Sequence, residues 1–449
     1  MKRVAISTLG CKTNQFESAA MIEQLKAAGY RVVPFSEQSD IYIINSCTVT
    51  ARTDAETRRL IRRARRLNPE SRIVATGCYA QVAPGELEKM PELDCVLGNQ
   101  EKQDISALLE STKHSVSDIT AISQAEPLKL TSFAEHTRAF LQIQNGCNSF
   151  CTYCIVPYAR GRSRSVRPDD VLQGVRDLAA NGFKEIVLTG IHLGAYGLDL
   201  SSSPTSLTAI VRQIDAESII PRLRIGSVEP NEVNEELLSL MAASKSICPH
   251  LHLPLQSGSD SVLNRMGRPY TSAIFRNLMV RISEVMPDAF IGADVIAGFP
   301  GETEAEFNET VKLLEDLPFS DLHVFPYSNR PGTKAAGMPG HIPDRIVTGR
   351  AARLRGIAKL KKIKFLERFV GKELKVLVHG YNDKSGVCKG LSRNYISASF
   401  PGEKSLVKEE VSILINCCNE GVCSGKSKGP GPEPHNLIRS SCSSSCGFI

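Results

Sequence analysis

The 449-residue sequence has no run of about 18 or more apolar residues, which excludes a membrane-spanning helix. Its opening residues, MKRVAISTLG, lack an apolar core long enough for a secretory signal before Lys12-Thr13-Asn14-Gln15 intervenes, so a cytoplasmic location is expected. Charge of one sign is also missing. Lys and Arg number 54 against 48 Asp and Glu, a formal net charge of +6 that identifies no partner unless the basic residues cluster. Composition is not skewed either: 42% hydrophobic and 23% charged residues exclude collagen, coiled coil and wholesale disorder. The length points to two or three domains.

Cysteine, by contrast, is plentiful, with 14 residues. A disulfide framework is not expected at this length without a secretion signal, so metal or cluster ligation leads, to be tested on spacing. Residues 1–115 read as a small α/β unit with a mainly parallel sheet. Val4-Ala5-Ile6-Ser7-Thr8, Ile41-Tyr42-Ile43-Ile44 and Ile73-Val74-Ala75-Thr76 are its strands. A helix is expected from Glu17 to Ala28, stopped by Gly29, and another from about Asp54 to Leu67 behind a Thr53…Glu56 capping box. A polar stretch from Gln103 to Lys129 reads as a linker.

Over residues 133–366, six short strands alternate with helices: Phe140–Ile143, Glu185–Leu188, Leu223–Ile225, Leu251–Leu253, Phe290–Val295 and Leu322–Phe325. Six βα repeats suggest a partial barrel, shorter than the eight-fold closed form. A basic helix from about Pro343 to Arg368 closes this module. Residues 367–424 then read as a small β module, with strands at Lys375–His379, Asn394–Phe400 and Val411–Ile415. The Gly/Pro/Ser-rich stretch 425–449 is expected to be disordered.

The strongest chemical signal is Cys147-Asn148-Ser149-Phe150-Cys151-Thr152-Tyr153-Cys154, a CxxxCxxC just after the first strand of the second module. Three thiolates at this spacing can hold three irons of a four-iron cluster and leave the fourth open to chelate a ligand. A zinc site short of one ligand, or three core cysteines, is the competing reading. Cys11, Cys47 and Cys78 each follow a strand of the first module, where ligands of parallel sheets gather. They therefore converge as a second three-thiolate site or, failing that, are buried strand-end cysteines. His192, His250, His252 and His323 suggest metal ligation, but strand histidines are more often hydrogen-bonded wall residues and these are left unassigned; Cys95 and Cys248 read as core or near-site thiols without ligand duty.

Leu9-Gly10-Cys11-Lys12-Thr13-Asn14-Gln15, Asn45-Ser46-Cys47-Thr48-Val49-Thr50, Gly77-Cys78-Tyr79 and the CxxxCxxC together resemble the radical SAM methylthiotransferases, over about residues 1 to 400. The resemblance implies an N-terminal α/β domain, a partial (β/α)6 radical SAM barrel and a C-terminal TRAM domain that binds RNA. It also implies two [4Fe-4S] clusters, with S-adenosylmethionine (SAM) on Cys147, Cys151 and Cys154 and an auxiliary, sulfur-handling cluster on Cys11, Cys47 and Cys78. Gly190, Glu229, Gln256 and Asp294, at successive strand ends, fit the family's SAM pocket, although such residues also make ordinary turns. In such a mechanism one SAM methylates sulfur, and a second yields a 5′-deoxyadenosyl radical that takes hydrogen from adenine C2.

Three substrates occur in the family: isopentenyladenosine in tRNA, an aspartate of a ribosomal protein, and threonylcarbamoyladenosine at tRNA position 37. Cys11-Lys12-Thr13-Asn14-Gln15, Cys47-Thr48-Val49-Thr50-Ala51, the arginine-rich helix and Asn68-Pro69 are most similar to the threonylcarbamoyladenosine (MtaB-type) branch. Expected partners are the tRNA anticodon stem-loop and an electron donor such as flavodoxin or ferredoxin, with no membrane. An alternative of another class is a non-catalytic Fe–S RNA-binding protein. Arg58, Arg59, Arg62, Arg63, Arg65 and Arg66 on one helix, and Arg353, Arg355, Lys359, Lys361, Lys362 and Lys364 on another, are read as phosphate contacts rather than merely solvated faces. The TRAM pattern runs through Gly390 to Phe400 but residues 416–423 do not continue it, which leaves the completeness of the last module open, and Cys442 and Cys446 are foreign to the family.

Overall fold

Strand β3 (Ile41–Ser46) is buried along its whole length, so both of its faces need cover. In the computed structural model, which describes residues 1–109, 114–125, 128, 130, 137–201, 204–419 and 421–427, two helices supply it. Tyr42 and Ile44 pack with Leu60, Ile61 and Ala64 of α2 (Ala51–Leu67), while Ile41 and Ile43 pack with Met21 and Leu25 of α1 (Lys12–Ala27). With β1 (Arg3–Thr8), β2 (Arg31–Val33), β4 (Arg72–Gly77) and β5 (Cys95–Val96), β3 forms a parallel sheet in the order β2-β1-β3-β4-β5.

Two helix starts differ from the sequence reading. α1 begins at Lys12 rather than Glu17, because Cys11 takes the extended N-cap position. The capping box of α2 is Thr50 with Thr53, not Thr53 with Glu56; Glu56 instead pairs with Arg59 one turn on. α1 also turns Phe16, Ala19 and Ala20 into the core of the next module, so the helix that Cys11 opens is wedged between the first sheet and the barrel.

All six expected barrel strands form: β6 (Arg138–Gln142), then, beyond a short hairpin of β7 (Gln144–Asn145) and β8 (Arg164–Ser165), β9 (Glu185–Thr189), β10 (Arg222–Ile225), β11 (His250–Gln256), β12 (Phe290–Ala297) and β13 (Asp321–Pro326). They make two parallel three-stranded sheets, β6-β9-β10 and β11-β12-β13, joined by bridges Leu223–Ile247 and Ser227–His252. The helix Asp344–Glu367 packs along β13. No helix among the described residues is long and apolar enough to cross a membrane.

The last module is a closed barrel, β14 (Glu373–Asn382), β15 (Val387–Ser392), β16 (Ser397–Pro401), β18 (Val422–Ser427) and β17 (Glu410–Asn419) in that order. The barrel is closed, a point the sequence left open. Residues 416–419 extend β17, residues 425–427 belong to β18 rather than to a disordered tail, and a Cys418–Cys423 disulfide crosses the hairpin. Residues 428–449, with Cys442 and Cys446, lie outside the described residues.

Buried charge locks this module to the radical SAM barrel. Glu185 pairs with Arg222 and Arg224, Arg222 also reaches Glu410 at 2.6 Å, and both arginines donate to backbone carbonyls at residues 391–393. Glu185, Arg222 and Arg224 are fully buried. Arg224 and Glu185 therefore satisfy one another in a dry interface, where a lone charge would be costly.

Candidate active site

Three loops at the carboxyl ends of β1, β3 and β4 carry Cys11, Cys47 and Cys78. Short polar side chains lace them together. Asn14 donates to the carbonyls of Leu9 at 2.7 Å and Ser46 at 3.0 Å, binding the first loop to the second. The Ser46 hydroxyl donates to the Thr76 carbonyl and accepts from the Tyr79 amide, binding the second to the third. Two glycines allow the approach. A Cβ on Gly10 would stand 2.7 Å from the Cβ of Cys47, and one on Gly77 would stand 2.4 Å from the Ser46 carbonyl oxygen; both have φ of +96°.

The CxxxCxxC occupies the loop that the β7–β8 hairpin closes at its base. Gly146 (φ +72°) lies where any Cβ would collide with the Arg162 carbonyl, and the Cys147 amide donates to the Gly161 carbonyl at 3.0 Å. The Thr152 amide and hydroxyl each donate, at 2.9 Å, to the carbonyls of Met266 and Arg265, fixing the middle of the loop.

All six thiols face one cavity of about 880 Å³, and Gly190, Glu229, Gln256 and Asp294 line it too. Gly190 packs against Gln144, where an added Cβ would lie 2.9 Å from the Gln144 Oε1. Gln256 holds φ at +64°, a strained backbone for a side chain of its kind. Glu229 pairs with Arg268, whose other nitrogen donates to the Cys151 sulfur at 3.0 Å. Asp294 accepts from His252 Nε2 at 2.9 Å and lies 3.3 Å from His323 Nδ1. Burial opposes its ionisation, but the two histidines outweigh burial and hold the carboxyl well below the usual range. His252 and His323 thus converge on one carboxylate, the ligand atoms of the three residues lying within 4.8 Å of one another, and Cys95 and Cys248 are buried outside the cavity lining.

The donor set fits iron–sulfur clusters on electrostatic grounds. Burial and then the neighbouring Cys78 push the Cys47 thiol up to about 12; burial and then Cys151 do the same to Cys154. In each trio, then, burial and a neighbouring sulfur disfavour the thiolate of one cysteine, Cys47 or Cys154, a setting in which a bound cation favours ionisation. A buried guanidinium stands by each trio, Arg268 at Cys151 and Arg160 at Cys78, the latter with Nε 3.3 Å from sulfur.

Sequence reasoning gave no site role to five of these residues, of which Arg268 has been described. Arg160 pairs with Glu17, which Lys102 also contacts, and all three are buried between the first module and the barrel. Burial opposes the Glu17 charge, but Arg160 and then Lys102 outweigh it and hold the carboxyl low. His192, named from the sequence but left without a role, sits 3.6 Å from the Cys147 sulfur and 2.6 Å from a Glu232 carboxylate oxygen. Burial lowers its basicity, but Cys147 and then Glu232 push it up to about 10. Only tertiary contacts single out these residues. The basic helices are also less free than their runs suggest. Arg58, Arg59, Arg62 and Arg65 bind Tyr79, Glu56, Glu92 and Asp94, and Arg353, Lys361 and Lys362 bind partners beside their helix.

Comparison with known proteins agrees with this geometry. Residues 3–98 match the model of the uncharacterized protein family UPF0004, and residues 141–314 that of the radical SAM superfamily. The threonylcarbamoyladenosine tRNA methylthiotransferase MtaB of Bacillus subtilis (strain 168) is 36% identical over 425 residues, 92% of this chain and 94% of its own. MtaB of Aquifex aeolicus (strain VF5) is 40% identical over 419 residues, 92% of this chain and 100% of its own. The tRNA-2-methylthio-N(6)-dimethylallyladenosine synthase of Caldicellulosiruptor saccharolyticus is 34% identical over 407 residues, 87% of this chain and 85% of its own. In fold, the radical SAM methyltransferase TsrM of Kitasatospora setae aligns with a TM-score of 0.55 at 15% identity, covering 85% of this chain and 79% of that one. With its two family modules in series and relatives matched nearly end to end, the chain belongs to the radical SAM methylthiotransferase family, enzymes that use SAM and an iron–sulfur cluster.

Proposed function

We propose that this enzyme adds a methylthio group to C2 of N6-threonylcarbamoyladenosine at position 37 of tRNA, using two SAM and two [4Fe-4S] clusters. The observation that carries the reading is the single cavity onto which both thiol trios open. Cys147, Cys151 and Cys154 hold the cluster that binds SAM, and Cys11, Cys47 and Cys78 the second cluster. Gly190, Glu229, Gln256 and Asp294 shape the SAM pocket. When bound, the clusters and SAM supply one-electron and sulfur-transfer chemistry that no side chain offers.

The chain's own part is to hold and enclose. Arg160 and Arg268 set positive charge against the sulfurs and ease the desolvation of anionic thiolates. The open cavity gives an extruded loop base room to enter, and a base in a tRNA loop needs little unstacking to do so. Tyr395, Ile396 and Ser397 of the β module form part of the wall, so the module that would grip RNA also touches the reaction chamber. The partners in this reading are the tRNA anticodon stem-loop and a one-electron donor such as flavodoxin or ferredoxin, in the cytoplasm.

The test is nucleoside analysis by mass spectrometry after reaction of reconstituted enzyme with RNA carrying threonylcarbamoyl- or dimethylallyladenosine, and with the ribosomal protein. A methylthio mass increase on the first supports the reading. Product only on either of the others refutes the substrate.

A further inference from the structure

Lys12 follows the first cysteine and lines the cavity, half-buried, at the start of α1. Among the described residues its ammonium has no hydrogen bond and no ion pair. Its charged surroundings do not compensate it. The groups that act on it are the Tyr395 hydroxyl, the guanidiniums of Arg224 and Arg138, and the Glu185 carboxylate. Glu185 is already engaged by Arg222 and Arg224 at 2.6 and 2.8 Å, with Arg138 at 3.6 Å. The nearby wall adds His323, which also feels Lys12 and Asp321, and both carboxylates there are taken, Asp294 by His252 and His323 and Asp321 by Lys362 at 2.8 Å. This corner of the cavity therefore carries an excess of positive charge in partly dry surroundings, an arrangement that lacks an anion.

We propose that Lys12, with His323 beside it, seats the carboxylate of the substituent on N6 of the substrate adenosine. The inference rests on the adenosine reading above and deepens it: it assigns the residue by which the enzyme prefers an acidic substituent to an apolar one. A threonylcarbamoyl group ends in a carboxylate that completes the ion pair. A dimethylallyl group leaves the ammonium without a partner and places hydrocarbon against it, which sites built around a polar group reject strongly.

The experiment uses the full chain, reconstituted anaerobically, and anticodon stem-loops carrying threonylcarbamoyladenosine or its methyl ester, which has the same shape without the charge. Dissociation constants are measured by filter binding, and product by mass spectrometry. Wild type should bind the acid on the order of 10- to 100-fold more tightly than the ester. Lys12→Met should bring that ratio close to one at unchanged iron content, and Lys12→Arg should keep it. Equal binding of acid and ester by wild type overturns the inference, as does a full preference retained by Lys12→Met. If Lys12→Met fails to hold iron, the wild-type comparison and Lys12→Arg still decide. Failure of the underlying reading shows differently: wild type then forms methylthio product on dimethylallyladenosine and none on the threonylcarbamoyl stem-loop, which removes both claims.

Discussion

Arg160 Nε lies 3.3 Å from the sulfur of Cys78, although 82 residues separate them. Arg160 ends the short helix that follows the CxxxCxxC, so one side chain reaches from the cluster loop of the barrel to the thiol trio of the first module. The two sites are mechanically joined through it. Glu17 of α1 holds the other side of the guanidinium, and the Asn14 side chain accepts from it as well.

Replacing that arginine should therefore damage the site of the first module more than its own. Arg160→Met should lower iron bound at Cys11, Cys47 and Cys78 while leaving the barrel cluster in place. It should also destabilise the chain by about 3 kcal/mol, because Glu17 loses one of its two buried cations. Iron analysis and thermal unfolding of the same preparation check both. Undiminished iron at full occupancy would show that Arg160 does not support the site.

Two separate clusters predict additive iron. The wild type should bind about eight irons, and either triple substitution, Cys11/Cys47/Cys78→Ala or Cys147/Cys151/Cys154→Ala, about four. Only the second should abolish SAM cleavage to 5′-deoxyadenosine on reduction. A wild-type content of about four irons would mean that one trio is not a cluster site.

The buried pair between barrel and β module sets an acid dependence. Burial raises the Glu185 carboxyl, but Arg224 and then Arg222 outweigh this and bring it down to about 2, below the ordinary 4.5 that it regains on unfolding. A group depressed in the folded state adds stability above its unfolded pKa, and that stability is lost as pH falls through the folded value. Glu185 should thus contribute roughly 3 kcal/mol near neutral pH, fading below about pH 4.5 towards about pH 2. Urea midpoints of wild type and Glu185→Gln, followed by circular dichroism, should differ most near neutrality and converge on acidification. A constant gap would contradict the assignment.

RNA binding should depend steeply on salt, but through fewer residues than the basic runs contain. Arg66, Lys359 and Lys364 are exposed and make no ion pair among the described residues. Each replaced by Ala should reduce the slope of log affinity against log salt by roughly one. Arg59→Ala, which removes a residue already paired with Glu56, should change it less. Filter binding across a salt series measures the slopes, and a flat dependence in wild type would count against phosphate contact altogether.

The linear chain determined much of this. Six barrel strands were legible because each is a short β-branched or aliphatic run at regular spacing, and the CxxxCxxC because its ligands share one loop. Cys11, Cys47 and Cys78 were legible because each ends a strand of one parallel sheet, and topology alone carries such ends to one edge. The helix starts were misplaced because caps depend on one side chain's hydrogen bond, as Thr50 and Thr53 show. The closing strand of the β module was missed because Val422–Ser427 has little apolar pattern of its own and is held by pairing with β17 and β16. Only the tertiary structure decided which charges are spent and which are free. Arg160, Arg268, His192 and Glu185 found partners tens of residues away, whereas Lys12 found none, and no local pattern encodes that difference, because the energy of a buried charge is set by whatever the fold brings beside it.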